Sequence, residues 1–192
     1  MTERSASPSP EGELPDGLLA VRAAEGDEDS FAVLVQRHGQ SLLTLACGML
    51  GNPQDAEEAV QDAFLSAWRR LPEYRHAAEF RTWMYRITVN RCLTMRRRRK
   101  PPPVPLSTVA EPATADAQSQ PVRSAEQDAA TAALSHALAE LDAGQRVCWI
   151  LRELQGMPYK EIAHVTGTSE QTVRGRLFRA RRSLQEAMGI WR

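Results

Sequence analysis

Apolar residues recur at three- and four-residue spacing over most of the chain, and no stretch alternates as half-buried strands do, so the expected fold is all-α. Leu18, Leu19 and Ala23 start a short helix that Gly26 can stop. Asp27 can cap a second helix whose Phe31, Leu34, Val35, His38, Leu42 and Leu45 share one face. Gly51 closes that helix, and Asn52 followed by Pro53 offers an N-cap and first-turn proline for a third, running to about Arg70. After a loop at Leu71 to Glu79, a fourth helix runs from about Phe80 to Arg98 and buries Phe80, Met84 and Ile87. Pro101, Pro102, Pro103 and Pro105 stop it.

From Arg99 to Ser124 the chain is rich in Pro, Ala, Ser, Thr and Gln and has few large apolar side chains to bury. The expected organisation is a disordered tail (1–15), a first helical domain (16–98), a flexible linker (99–124) and a second helical domain (125–192). The second domain resumes helical spacing with Leu134, Leu138, Leu141, Val147, Ile150, Leu151 and Leu154. Pro158 to Leu184 then follow helix-turn-helix order. Ala163, Gly167 and Val173 supply a small residue at a helix crossing, a turn residue tolerant of positive φ and a buried anchor. Thr168 and Gln171 have capping-box spacing, and Val173, Leu177, Ala180 and Leu184 trace the buried stripe of the last helix. Rotation by about 100° per residue puts Gln171, Arg174, Gly175, Phe178, Arg179 and Arg182 on its outward half. Arginines there can pair with guanine or grip phosphate in a major groove, and Gly175 allows close backbone approach. Phe178 could equally pack inward.

Charge sharpens this picture. The chain has zero formal net charge, yet residues 1–62 hold 3 Lys/Arg against 12 Asp/Glu, and residues 69–100 hold 11 against 2. The basic segment suits a polyanion, whereas the acidic one suits a basic protein surface, so two partners are implied. No window is apolar enough to span a membrane, and the Pro/Ser/Glu-rich start lacks the order of a signal peptide, which places the chain in the cytoplasm. Cys47, Cys92 and Cys148 form no CxxC or Cys/His cluster, so no disulfide framework, metal or cofactor is expected. His38, His76, His136 and His164 are scattered, no glycine loop cradles phosphate, and no catalytic frame is recognisable, so an enzyme is not expected.

On the third helix Asp55, Glu58, Gln61 and Asp62 lie on or near one side. On the fourth, Trp83, Arg86, Asn90 and Arg97 line a side adjacent to its core face. Mixed aromatic and basic groups on one helix can hold single-stranded DNA by stacking and phosphate contact.

These segments together resemble the sigma-70 family of RNA polymerase sigma factors, in its extracytoplasmic-function (ECF) class. The resemblance rests on Gly26-Asp-Glu-Asp-Ser-Phe31, Asp55-Ala-Glu-Glu-Ala-Val-Gln-Asp-Ala-Phe-Leu-Ser-Ala-Trp68 and Phe80-Arg-Thr-Trp-Met-Tyr-Arg-Ile-Thr-Val-Asn90. It continues in Tyr159-Lys-Glu-Ile-Ala163 and Thr172-Val-Arg-Gly-Arg-Leu-Phe-Arg-Ala-Arg181. It implies a transcription initiation factor whose Asp55, Glu58, Gln61 and Asp62 meet the coiled coil of the polymerase β′ subunit. Arg75, His76, Trp83, Arg86, Asn90 and Arg97 would hold the melted −10 element with a flipped base. Gln171, Arg174, Gly175, Phe178, Arg179 and Arg182 would read the −35 duplex, and that domain would also touch the β flap. The resemblance further implies sequestration by an anti-sigma protein. Gly175, His38 and His76-Ala77-Ala78 depart from the family pattern, so a promoter sequence does not carry over. A stand-alone helix-turn-helix regulator is the alternative; it leaves the acidic helix and its aromatic, basic neighbour without a role. The linker suggests that the two DNA-binding faces hang on a slack tether until polymerase fixes their spacing.

Overall fold

The computed structural model describes residues 14–74, 78–99 and 125–189. Among them every regular element is helical: α1 (Asp16–Ala24), α2 (Glu28–Leu50), α3 (Pro53–Arg70), α4 (Phe80–Arg99), α5 (Ala125–Glu140), α6 (Ala143–Trp149), α7 (Tyr159–Thr166) and α8 (Glu170–Met188). The expected all-α class is what the chain adopts. The expected tail, except Leu14 and Pro15, and nearly all of the expected linker lie outside the described residues.

Local chemistry sets the helix ends. Asp27 accepts from the backbone N–H groups of Asp29 and Ser30 at 3.1 and 3.2 Å, filling two of the unpaired donors that open α2. Its hydrogen bonds from Ser30 hold its carboxyl below the usual carboxylate range. Gly51 ends α2 at φ 72°, a left-handed conformation that a side chain would strain, and Asn52 caps α3 through Asp55 N. The stretch read as a loop after α3 begins with a 3-10 turn, Leu71–Glu73, which buries Leu71 in the core. Ser169, rather than Thr168, caps α8: its hydroxyl accepts from Thr172 N at 3.2 Å, while Thr168 shares a hydrogen bond with Thr166.

In the first unit α2, α3 and α4 pack on one another. A stripe of small residues on α3, Ala56, Ala59, Ala63 and Ala67, lets the helices approach closely. Helix α1 lies on α2, tied by Asp16 to Arg37 and His38, each at 2.7 Å. In the second unit α8 packs on α6, α7 and α5. Between α6 and α7 the chain makes a π turn over Ile150–Leu154, in which Gln155 N donates to Ile150 O at 3.2 Å.

The two units, expected to hang apart until polymerase fixes their spacing, pack against each other; the tether between them lies outside the described residues. Tyr85 and Val89 of α4 share one continuous apolar cluster with Ile150, Leu151, Met157 and Ile162 of the second unit. Polar groups complete the seam. The Tyr85 hydroxyl donates to Gln155 Oε1 at 2.7 Å, Gln155 Nε2 donates to Ser41 O at 3.3 Å, and Arg81 donates to Gln155 O at 2.6 Å. Thr82 donates to Glu161 at 3.1 Å. Arg146, 5% exposed, donates to Met49 O across the seam and to Ala139 O and Leu141 O in its own unit. It thereby satisfies carbonyls at the C-terminal ends of α2 and α5, where a cation is favoured. Burial lowers its pKa to about 10, so it remains a cation at neutral pH. Gly48 lets α2 come this close: a Cβ there would sit 2.8 Å from Ile150 Cδ1.

Candidate functional site

A groove of about 570 Å³ opens between α2 and α3, lined by Phe31, Val35, Gln61, Phe64, Leu65 and Trp68. Phe31 meets Phe64 edge-on and lies 4.9 Å from Trp68, ring centre to ring centre, which fixes the groove floor. Leu65 stands at its rim, 55% exposed. Such an apolar surface beside acidic side chains suits a protein partner with an apolar ridge and basic flanks.

The residues assigned from sequence to protein docking divide around this groove. Gln61 is exposed on its lining. Glu58 and Asp62 both pair with Arg91 of α4, Glu58 at 3.3 Å, so part of their charge is answered within the chain. Asp55 is buried, at 6% exposure, near the start of α3 and is the one of the four turned inward. Phe31, Leu65 and Trp68 were not singled out for docking from sequence. Leu65 carries the missed signal, a large apolar residue outside the buried stripe of α3.

Helix α4 has three faces. Phe80, Met84 and Ile87 are buried as expected, Thr82, Tyr85 and Val89 are buried also, and Arg86, Asn90 and Arg97 are exposed. Trp83 is half-buried, with its ring centre 4.9 Å from Tyr74 and 5.8 Å from Phe80. Tyr74 extends this aromatic cluster, and its hydroxyl donates to Ala78 O at 2.6 Å. Arg75 and His76 lie outside the described residues. Asn90 lines a smaller crevice of about 310 Å³ against the second unit, with Leu93, Asp142, Thr166 and Arg176.

In the second unit Gly167 turns the chain at φ 63° between α7 and α8. Val173, Leu177, Ala180 and Leu184 are buried, while Gln171, Arg174, Phe178, Arg179 and Arg182 face outward. Phe178 points away from the core and is 69% exposed. Arg174 lies 3.7 Å from Glu170, and Arg182 bonds Glu186 at 3.0 Å. A Cβ at Gly175 would come 3.7 Å from Arg179 Nη1, an ordinary contact, so packing does not demand glycine there.

Among the described residues no three His, Cys, Asp or Glu side chains cluster as metal ligands, and no helix is long and apolar enough to cross a membrane. The buried Cys92 thiol is pushed up to about 12 by burial, and burial raises Cys47 and Cys148 as well, which disfavours thiolate chemistry.

Comparison with known proteins agrees with this layout. Residues 34–101 match the model of Sigma-70 region 2, and residues 131–184 match that of Sigma-70, region 4. The RNA polymerase sigma-H factor of Pseudomonas aeruginosa is 32% identical over 180 residues, covering 90% of this chain and 93% of that protein. The ECF RNA polymerase sigma factor SigM of Mycobacterium tuberculosis is 35% identical over 173 residues, covering 90% of this chain and 83% of that one. Among solved structures, CnrH in complex with the cytosolic domain of CnrY superposes with a TM-score of 0.71 at 30% identity, covering 91% of this chain and 97% of CnrH. The RpoE sigma factor of Bartonella quintana, solved with the anti-sigma factor NepR, has the same fold at a TM-score of 0.63 and 24% identity, covering 84% of this chain and 98% of that one. With both regions matched in order and relatives aligned along nine-tenths of its length, this chain belongs to the sigma-70 family of RNA polymerase sigma factors, in the ECF class.

Proposed function

We propose that the chain docks on core RNA polymerase through the α2 and α3 groove, with Gln61 and Trp68 lining it, Leu65 at its rim and Glu58 and Asp62 on its flank. The partner is the β′ coiled coil. Helix α4 then receives the melted −10 element: Trp83 stacks on a base, Asn90 contacts a flipped base, and Arg86 and Arg97 follow phosphates, together with Arg75 and His76. Helix α8 reads the −35 duplex with Gln171, Arg174, Gly175, Phe178, Arg179 and Arg182, where Phe178 suits a thymine methyl. The second unit also touches the β flap. The observation that carries this reading is that one chain presents two separate faces suited to nucleic acid, on α4 and α8, and an apolar groove belonging to neither.

The packed arrangement adds a step. By their names the −10 and −35 elements lie about 25 base pairs apart, roughly 85 Å at ~3.4 Å per pair, whereas a packed body of about 150 residues is only ~40 Å across. The readers must therefore separate for both to engage. Polymerase holds them apart, and an anti-sigma protein covering the docking surfaces keeps the chain inactive; the relative CnrH is known in complex with CnrY. We infer that the chain works in the cytoplasm and acts by binding rather than by catalysis, in keeping with its membership of a family of transcription initiation factors.

In vitro transcription with core polymerase on fragmented genomic DNA tests the proposal. Start sites that appear only when the chain is added, sharing −10 and −35 sequences, are the expected outcome. Identical start sites with and without it would refute the reading.

A further inference from the structure

Arg174 stands at the centre of the outward face of α8, with 65% of its side chain exposed. A free arginine there would lose about 2 kcal/mol of rotamer entropy on entering a groove, so whatever holds it beforehand raises the gain from docking. Two groups hold it, and they act differently. Glu170, one turn back on the same helix, lies 3.7 Å from Nη2. That contact occupies the guanidinium edge, the same edge that a guanine O6/N7 pair needs. Tyr159, on the first turn of α7, has its ring centre 5.8 Å from Arg174 Cζ. A ring engages the flat face of the guanidinium and leaves the edge donors free.

Tyr159 is itself fixed. Arg152 lies with Cζ 5.1 Å from the same ring, and its Nη1 donates to Met157 O at 3.0 Å. Arg181 of α8 pairs with Glu153 at 2.7 Å. Its charged form is favoured first by that hydrogen bond and further by Tyr159. The half-buried ring thus joins the π turn, α7 and α8.

We propose that Tyr159 is a positioning residue for base reading: its ring holds Arg174 in the direction of the groove while keeping the guanidinium edge available, and so sets how strongly the Arg174 base pair is discriminated. The inference rests on the assignment of α8 as the −35 reader.

The test uses full-length chain with core polymerase and a duplex library randomised across the −35 element. Arg174→Ala first identifies the base pairs that this residue reads. At those pairs Tyr159→Leu should lower discrimination roughly three- to fivefold, as expected for loss of an exposed cation–π contact. Tyr159→Phe should keep it, and Tyr159→Leu combined with Arg174→Ala should relax those pairs no further than Arg174→Ala alone. The salt dependence of binding should not change, since no phosphate contact is removed. Undiminished discrimination in Tyr159→Leu, an equal loss in Tyr159→Phe, or a loss spread over all positions would each overturn the positioning role alone. If Arg174→Ala relaxes no base pair, the reading of α8 fails with it. Should Tyr159→Leu not fold, the ring-current shift of the Arg174 side-chain protons in the wild-type chain decides: its presence supports the proposal, and its absence overturns it.

Discussion

Replacing Gln155 by Leu should open the seam between the two units. The substitution removes the hydrogen bonds to Tyr85 and Ser41 O, and leaves the backbone bond from Arg81 in place. Tyr85 is fully buried, so its hydroxyl would lose its acceptor where bulk solvent does not reach it. Two hydrogen bonds at about 1 kcal/mol each, with part of the desolvation cost of the stranded hydroxyl, come to about 2–3 kcal/mol. That shifts the ratio of packed to separated forms roughly 30- to 150-fold. Small-angle scattering of the free chain should show a larger radius of gyration. Tyr85→Phe added to Gln155→Leu should restore compaction in part, because the stranded donor is removed as well. A wild-type radius for Gln155→Leu, with the same thermal midpoint, would show that this residue does not hold the units together.

Other substitutions probe the seam and the two DNA-binding faces separately. Gly48→Leu places a side chain where even a Cβ lies 2.8 Å from Ile150 Cδ1, and should separate the units while the melting of α2 and α3 by circular dichroism changes little. Gly175→Ala should stabilise α8 by about 0.5–1 kcal/mol, since glycine is a poor helix former, and raise the thermal midpoint; the added methyl should weaken −35 binding in a duplex titration. Asn90→Ala should leave closed-complex formation intact but reduce permanganate reactivity of the −10 thymines, because its exposed side chain has no part in the core.

Local features were the easiest to read from sequence. Asp27, Gly51, Asn52 and Gly167 mark helix ends because a cap or a left-handed turn depends on a few neighbouring residues. The cap of α8 was read one residue early because Thr168 and Ser169 both carry a hydroxyl, and only the backbone direction shows that Ser169 reaches Thr172 N. The buried stripe of α8 followed from period alone, whereas Phe178 could not be placed until its surroundings were known. The seam was hidden for a different reason. Tyr85, Gln155 and Gly48 act across separations of 70 and about 100 residues, and none forms a local motif. The docking surface was only half visible: charge pointed to Glu58 and Asp62, but their pairing with Arg91 and the apolar floor of Phe31 and Trp68 are products of tertiary packing.

If the groove between α2 and α3 grips RNA polymerase, a charge at its rim should break the contact. Leu65→Glu places a charge at a rim position that is 55% exposed, so it should leave the fold and its melting temperature nearly unchanged. Pull-down of core polymerase at moderate salt should then recover enzyme with the wild-type chain and little or none with Leu65→Glu. Equal recovery by the two chains, or none by the wild type, would contradict the claim.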